Sequence, residues 1–83
     1  MVKIFAEYLK QAINRWYMNA ERDYGITGRF VSCIVDANGI MVITWEEEGR
    51  RYRTHYRWFE TYSPEQVYNM WMDEDPENVE EVV

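Results

Sequence analysis

Two glycine-containing dipeptides, Asn38-Gly39 and Glu48-Gly49, constrain the fold of this 83-residue chain more than any other feature. Asn-Gly is a preferred pair for a two-residue β-hairpin turn, because both central residues of that turn take positive φ. The segments around these turns, 29–36, 40–47 and 50–59, are rich in β-branched and aromatic residues. The spacing therefore predicts a three-stranded antiparallel meander.

Two-residue turns also predict the register of both hairpins. Paired residue numbers would sum to 77 in the first hairpin and to 97 in the second. This register places eight large apolar side chains on one face: Phe30, Ile34, Met41, Ile43, Trp45, Tyr52, Tyr56 and Trp58. The opposite face then carries Val31, Cys33, Val35, Val42, Arg51, Arg53, His55 and Arg57. The alternative is a three-residue loop containing Gly39, with a bulge, which would exchange the two faces of the first strand.

A helical pattern precedes the meander. In residues 3–23, apolar side chains recur at three- and four-residue spacing, which places them on one stripe of a helix. The members of this stripe are Phe5, Leu9, Ala12, Ile13, Trp16 and Ala20. Gly25 and Gly28 follow, and glycine readily takes the left-handed conformation that ends helices.

A second helix is predicted from Ser63-Pro64-Glu65-Gln66, where Ser63 can cap, Pro64 suits the first helical position and Gln66 can complete a capping box. Its expected buried stripe is Val67, Tyr68 and Trp71. Pro76 should end it, and residues 76–83 are predicted to be either a short third helix or a frayed tail. The whole chain, 1–83, is therefore predicted to form a single α+β domain.

Charge is distributed unevenly along the chain. The first 59 residues hold all nine Lys and Arg against seven acids, so +2 there and −8 beyond give the net −6. The eight later carboxylates are Glu60, Glu65, Asp73, Glu74, Asp75, Glu77, Glu80 and Glu81. Such a one-signed segment repels nucleic acid and attracts basic surfaces, although a merely solubilising end has the same composition.

The acidic end supplies the predicted partner-binding residues. The primary set is Asp73, Glu74, Asp75, Glu77, Glu80 and Glu81, of which the last three would share one face of a short helix. The secondary set is Asp36, Glu46, Glu47 and Glu48. Met70 and Met72 would add a soft apolar patch beside the acids.

The third strand carries a basic row at every second position, Arg51, Arg53, His55 and Arg57, with about 6.6 Å between successive members. Alternation sends the neighbouring aromatic residues to the other face, so they cannot stack bases beside these arginines, and direct nucleic-acid binding is disfavoured. Three roles stay open. The row guards an edge strand, it pairs with internal acids such as Glu46 opposite Arg51, or it meets the acidic end of a second copy.

No catalytic or metal-binding motif is present. His55 and Cys33 are the only histidine and cysteine, so a tetrahedral metal site cannot be completed. In the predicted register they share a sheet face but lie on the two outer strands, with the middle strand between them, and no third group is recognisable that would orient a Cys–His pair. We expect no enzyme activity and no cofactor. The lone cysteine indicates a reducing compartment, and no signal peptide or membrane span is recognisable, so a cytoplasmic location is expected. The negative charge also argues against an anionic membrane as partner.

The order of elements, the turn segment Val35-Asp36-Ala37-Asn38-Gly39 and the acidic aromatic end Tyr68-Asn69-Met70-Trp71-Met72-Asp73-Glu74-Asp75 together resemble small acidic phage-encoded inhibitors. Among these, some anti-CRISPR proteins block a nuclease by occupying its DNA-binding groove. The resemblance implies a monomer or homodimer, in the host cytoplasm, that competes with DNA for an Arg/Lys-lined channel. The alternative function is a self-associating or adaptor domain whose acidic end docks on the basic third strand of a neighbour.

Overall fold

The computed structural model describes residues 2–58 and 61–83, so Phe59 and Glu60 lie outside the described residues. Its elements follow in this order: α1 (Val2–Tyr24), β1 (Gly28–Val35), β2 (Ile40–Glu47), β3 (Arg50–Arg57), α2 (Pro64–Met72), a 3₁₀ turn (Pro76–Asn78) and β4 (Val79–Val82). The four strands form one antiparallel sheet in the order β1-β2-β3-β4. The predicted α+β fold is confirmed, with one strand more than the sequence indicated.

Both helices pack against the same face of the sheet, which we call the inner face. The core consists of ten buried side chains from α1, the inner face and α2: Phe5, Leu9, Ile13, Tyr17, Cys33, Met41, Ile43, Trp45, Val67 and Trp71. Trp58 follows β3 and meets Phe5 edge-on, with 4.7 Å between ring centroids. Among the described elements, none covers the opposite, outer face.

The second hairpin has the predicted register. Every pair from Ile40↔Arg57 to Glu47↔Arg50 sums to 97. Its two turn residues, Glu48 and Gly49, have φ of 54° and 77°. Positive φ at both central positions is what a tight turn needs to follow the twist of its two strands.

The first hairpin differs from the predicted register. Its pairs sum to 76 from Val35↔Met41 to Ser32↔Thr44 and to 75 from Phe30↔Trp45 onward. The loop has three residues, since the Asp36 amide donates to the Ile40 carbonyl (2.9 Å) and the Gly39 amide to the Asp36 carbonyl (3.1 Å). The three-residue alternative is therefore the one that forms, with Gly39 at φ 76°.

This register corrects the predicted faces of β1. Cys33 is buried in the core and Val35 packs against it, whereas Ile34 is 56% exposed. Val31 is an extra residue between the two registers, and it shifts the pairing by one more position. Because of this bulge Phe30 returns to the inner face opposite Trp45, where the sequence had placed it.

The helices follow their sequence patterns. Along α1 the predicted stripe faces the core, with Ala12 and Trp16 half-buried at its margin. Tyr17 joins the stripe, and a Cβ at Gly28 would overlap its ring, so the absence of a side chain there permits the close contact. The capping box of α2 is present: the Gln66 amide donates to Ser63 Oγ, and the Ser63 amide donates to Gln66 Oε1.

The end of the chain is neither a third helix nor a frayed tail. Residues Val79–Val82 pair with β3, from Thr54↔Val79 to Arg51↔Val82. Val79 packs against the core, and the buried Thr54 hydroxyl donates to the Asn78 carbonyl at 3.0 Å. A β-branched residue beside a buried strand favours an added strand over a helix here. Consequently β3 is an inner strand along 51–54 and has no edge to guard there.

Candidate functional site

The last two carboxylates of the acidic end are paired with arginines of β3. Glu80 accepts a hydrogen bond from Arg53 Nε, and Glu81 Oε2 lies 3.9 Å from Arg50 Nη1. Successive strand residues point to opposite faces, so Glu80 and Glu81 do not share a face with each other, and the predicted common helical face with Glu77 is wrong. The acidic end thus contacts the basic third strand of its own chain.

Glu46 is also occupied. Its carboxylate lies on the outer face between Arg51 Nη2 at 2.7 Å and Arg29 Nε at 2.8 Å. Hydrogen bonds from Arg51 and then Arg29 lower the pKa of Glu46. The predicted pairing of Glu46 with Arg51 is confirmed, and this carboxylate is already satisfied within the chain.

The other three acids of the secondary set act within the chain. Asp36 Oδ1 accepts from the amides of Asn38 (2.8 Å) and Ile40 (3.0 Å), and Glu48 Oε1 accepts from the Thr27 amide at 2.8 Å. The carboxylate of Glu47 contributes to the raised pKa of the Tyr17 hydroxyl. Asp36 lies at one end of β2 and the two glutamates at the other, so the structure does not bring the secondary set together.

The remaining acids of the primary set are close together in the sequence, in a segment between α2 and β4 that we call the acidic loop, residues 73–77. Its carboxylates belong to Asp73, Glu74, Asp75 and Glu77. Glu74 is half-buried and accepts from the Tyr56 hydroxyl, and Asp75 Oδ1 accepts from the Glu77 amide at 3.1 Å. No ion pair to lysine or arginine involves this loop within residues 2–58 and 61–83.

Four aromatic rings gather beside the start of the acidic loop. Together with Glu47 and Met72 they line a cleft of about 230 Å³, which we call the aromatic cleft; the four rings are those of Trp16, Tyr17, Trp45 and Trp71. The Trp71 ring lies 5.6 Å from that of Trp45 and 5.9 Å from that of Trp16, nearly perpendicular to both. Met72 is 43% exposed, as predicted for an apolar contact, whereas Met70 is half-buried.

Sequence reasoning missed this cleft because it assigned Trp16, Trp45 and Trp71 to the core one at a time. Each assignment is sound, since Trp45 and Trp71 are buried and Trp16 is half-buried. The convergence of three separate elements on one point depends on how α1 and α2 cross the sheet. The only local signal is the adjacent pair of rings at Trp16 and Tyr17 on the buried stripe of α1.

Burial raises the pKa of two tyrosine hydroxyls and one thiol, so these groups stay protonated near neutral pH. Burial first, and then the carboxylate of Glu47, raises the pKa of Tyr17. Burial and the hydrogen bond to Glu74 raise the pKa of Tyr56 in the same way. Burial raises the pKa of the Cys33 thiol to about 11, which keeps it from acting as a thiolate nucleophile near neutral pH.

The basic row divides into two parts on the outer face. Arg51 and Arg53 are ion-paired with Glu46 and Glu80. Arg57 and His55 are exposed, and no ion pair involves them in the described part of the chain. The aromatic residues of the strands face inward as predicted, so among the described strand residues no ring lies beside the arginines to stack a base.

Three further findings concern the chain as a whole. Among residues 2–58 and 61–83, no group of three or more His, Cys, Asp or Glu side chains is arranged to hold a metal ion. Neither α1 nor α2 combines the length and the apolar character needed to cross a membrane. Comparison with protein-family models, with curated proteins and with solved structures finds no match.

Proposed function

We propose that this protein is a non-enzymatic inhibitor that binds a nucleic-acid-handling protein, such as a CRISPR nuclease, through its acidic loop. The observation that carries the proposal is the group of four carboxylates in residues 73–77, which form no ion pair with lysine or arginine among the described residues. Uncompensated negative charge of this density is attracted to the basic groove that such proteins offer to DNA.

The position of the loop strengthens its field. It follows the C-terminus of α2, which carries the partial negative charge of the helix dipole. Duplex DNA presents about one charge per 1.7 Å of axis, so closely spaced carboxylates reproduce part of its charge row. The exposed Met72 next to the loop supplies an apolar anchor once steering has brought the surfaces together.

The proposed surface is smaller than the sequence suggested. Its primary residues are Asp73, Glu74, Asp75 and Glu77, with Met70 and Met72 beside them. Five of the other predicted acids serve the protein's own fold, through arginine pairs at Glu46, Glu80 and Glu81 and through backbone amides at Asp36 and Glu48, while Glu47 lies in the aromatic cleft with Tyr17. We place the site of action in the cytoplasm, that of the host cell if the protein is phage-encoded.

Two carboxylates of the loop allow a clean test. The side chains of Asp73 and Glu77 make no hydrogen bond or ion pair within the described residues, so the double variant D73K/E77K leaves the internal contacts intact. The matched control is E21K/E65K, which changes the charge equally at two other exposed positions. DNA cleavage by a panel of purified CRISPR nucleases and other DNA-binding enzymes would be measured with each protein.

We expect the unmodified protein to inhibit at least one nuclease, with inhibition relieved by excess DNA and by raised salt. D73K/E77K should abolish the inhibition and E21K/E65K should retain it. Equal inhibition by both double variants, or a panel in which no enzyme is inhibited, would sink the proposal.

A self-associating domain is the second candidate, favoured by Arg57 and His55 on the uncovered outer face. In such a dimer, the acidic loop of one copy would dock on these residues of another. Sedimentation of the pure protein at low and high salt separates the two functions, since this candidate requires a salt-sensitive dimer. A monomer at both salt concentrations would exclude it.

A further inference from the structure

We propose that the aromatic cleft binds one cationic side chain, that of a lysine or arginine, presented by the partner protein. This inference rests on the proposed function, because it assigns a specific contact to the protein that the acidic loop attracts. The partner would then be held both by the charge of the acidic loop and by a pocket for one of its lysine or arginine side chains.

Ring geometry is the first argument. Trp16 and Trp45 each stand at nearly a right angle to Trp71, at 89° and 88°, and Tyr17 stands at 89° to Trp16. In each of these edge-to-face contacts the edge of one ring packs against the face of its neighbour, and Tyr17, Trp45 and Trp71 are buried, so the half-buried Trp16 has the most accessible ring of the group. A cation within about 6 Å of an accessible ring face is attracted by its quadrupole, and tryptophan gives the strongest attraction.

Charge is the second argument. The one ionised side chain among the lining residues is the carboxylate of Glu47, and the lining includes no lysine or arginine. Glu47 lines the cleft together with Tyr17, and a carboxylate has several lone pairs that can accept from a bound donor. The acidic loop begins directly after Met72, so the field at the mouth of the cleft also favours a cation and repels an anion.

The volume of the aromatic cleft limits the size of the ligand that it can hold. The cleft measures about 230 Å³. Pockets for drug-sized molecules occupy roughly 300–1,000 Å³, so this one suits a single side chain better than a metabolite or cofactor. The exposed Met72 at its margin can adjust to side chains of different length, because an unbranched thioether has several accessible conformations.

The test uses three tripeptides, Ac-Ala-Xaa-Ala-NH₂, in which Xaa is lysine, arginine or a neutral residue of similar shape with a tert-butyl head. The indole N–H resonances of the ¹⁵N-labelled full chain are followed by NMR at low salt. We expect both cationic peptides to shift the Trp71 resonance saturably, with millimolar dissociation constants of about 1–10 mM. The neutral peptide should bind about 10-fold more weakly.

Variants locate the site. Glu47→Gln should weaken binding of the cationic peptides about 5- to 10-fold, whereas Glu65→Gln, an equal charge change outside the cleft, should leave it unchanged within about 2-fold. Trp16→Leu, which keeps an apolar side chain at a half-buried position, should reduce the affinity about 10-fold. The dispersion of amide resonances checks that each variant is folded, and if Trp16→Leu fails this check, Glu47→Gln decides alone.

The cleft proposal would be overturned if the neutral peptide bound as tightly as the cationic peptides, or if neither the lysine nor the arginine peptide shifted an indole resonance. Failure of this test is distinguishable from failure of the proposed function. If the peptides do not bind while D73K/E77K still loses inhibition, only the cleft is wrong. If the peptides bind while no nuclease is inhibited, the cleft stands and the inhibitor hypothesis falls.

Discussion

The two halves of the acidic end have similar composition and different environments. The acidic loop, residues 73–77, follows the C-terminus of α2 and has no arginine or lysine partner among the described residues. Strand β4 lies beside β3, where Glu80 meets Arg53 and Glu81 approaches Arg50. Within the described residues, one half therefore has no basic partner for its charge, and the other half has its charge offset by arginines of β3.

The contrast shows why the charge of a segment overstates the charge of a surface. Seven carboxylates lie in residues 61–83, and two of them are ion-paired because strand pairing brings them next to a basic row. Backbone hydrogen bonding, rather than charge, decides which acids come close to arginines, since the β3–β4 register fixes the neighbours. A binding site predicted from the number of acids in a segment must therefore exclude the acids that strand pairing brings next to arginines.

Breaking β4 gives the largest expected effect. The two-residue second hairpin implies that the even-numbered residues of β3 bond to β2 and the odd-numbered ones to β4, so the Glu80 amide donates to β3 and the Glu81 amide points away. Glu80→Pro should cost about 2–3 kcal/mol of unfolding free energy by removing that hydrogen bond and loosening Val79. Chemical denaturation measures the loss.

The matched control is Glu81→Pro in the same strand. Proline is tolerated on an edge strand where its missing amide would face solvent. Its cost should be clearly smaller, by at least about 1 kcal/mol. If both prolines destabilise the protein equally, the β3–β4 register described above is wrong.

The anchor of the acidic loop gives the next largest effect. Tyr56→Phe removes the donor to the half-buried Glu74 carboxylate, and it should cost about 1–2 kcal/mol. Asp73→Asn, at an exposed side chain of the same loop without a hydrogen bond among the described residues, should change stability by no more than about 0.5 kcal/mol. Thermal or urea unfolding of the two variants measures this contrast, and equal effects would show that Glu74 is as free as Asp73.

The pH dependence of stability sharpens the same point. The pKa of Tyr56 is raised in the folded protein, so its contribution is fully present below the unfolded value of 10.0 and is lost as pH rises above it. The unmodified protein should therefore lose stability more steeply than Tyr56→Phe above pH 10. Tyr17 and Cys33 act in the same direction in both proteins, so the difference between the two curves isolates Tyr56. Parallel curves would contradict the role given to Tyr56.

The ion pair of β4 gives the smallest effect. Both Arg53 and Glu80 are half-exposed, and solvent screens such pairs. A double-mutant cycle with Arg53→Gln and Glu80→Gln should give a coupling of about 0.2–1 kcal/mol that shrinks at high salt. A coupling of several kcal/mol would mean that charge, rather than backbone pairing, holds β4 in place.

The parts of the fold set by local chemistry were predictable from sequence. The second hairpin has the expected register because Glu48 and Gly49 form a two-residue turn, and α2 begins directly after Ser63 because its capping box is complete. The register of the first hairpin was not predictable in this way, since Asn38-Gly39 suits both a two-residue and a three-residue loop. The choice between them depends on burying Cys33 in the core, together with the bulge at Val31.

The candidate site was predictable only as composition. The acidic loop is visible as a run of carboxylates, but β4 is a short segment whose pattern of acids and valines also fits a helix. Its pairing with β3, and hence the removal of Glu80 and Glu81 from the free acids, depends on tertiary contacts at Val79 and Thr54. The aromatic cleft depends on tertiary structure even more, because its rings come from three separate elements.

The central claim is that the acidic end consists of a loop without basic partners among the described residues and a strand, β4, that pairs with β3. Amide hydrogen exchange along β4 tests this claim most directly. If β4 pairs with β3 as described, the amides of Glu80 and Val82 exchange slowly, whereas that of Glu81 between them exchanges at least about tenfold faster. Uniformly fast exchange from residue 79 to residue 82 would contradict the division, and it would return both glutamates to the set of free carboxylates.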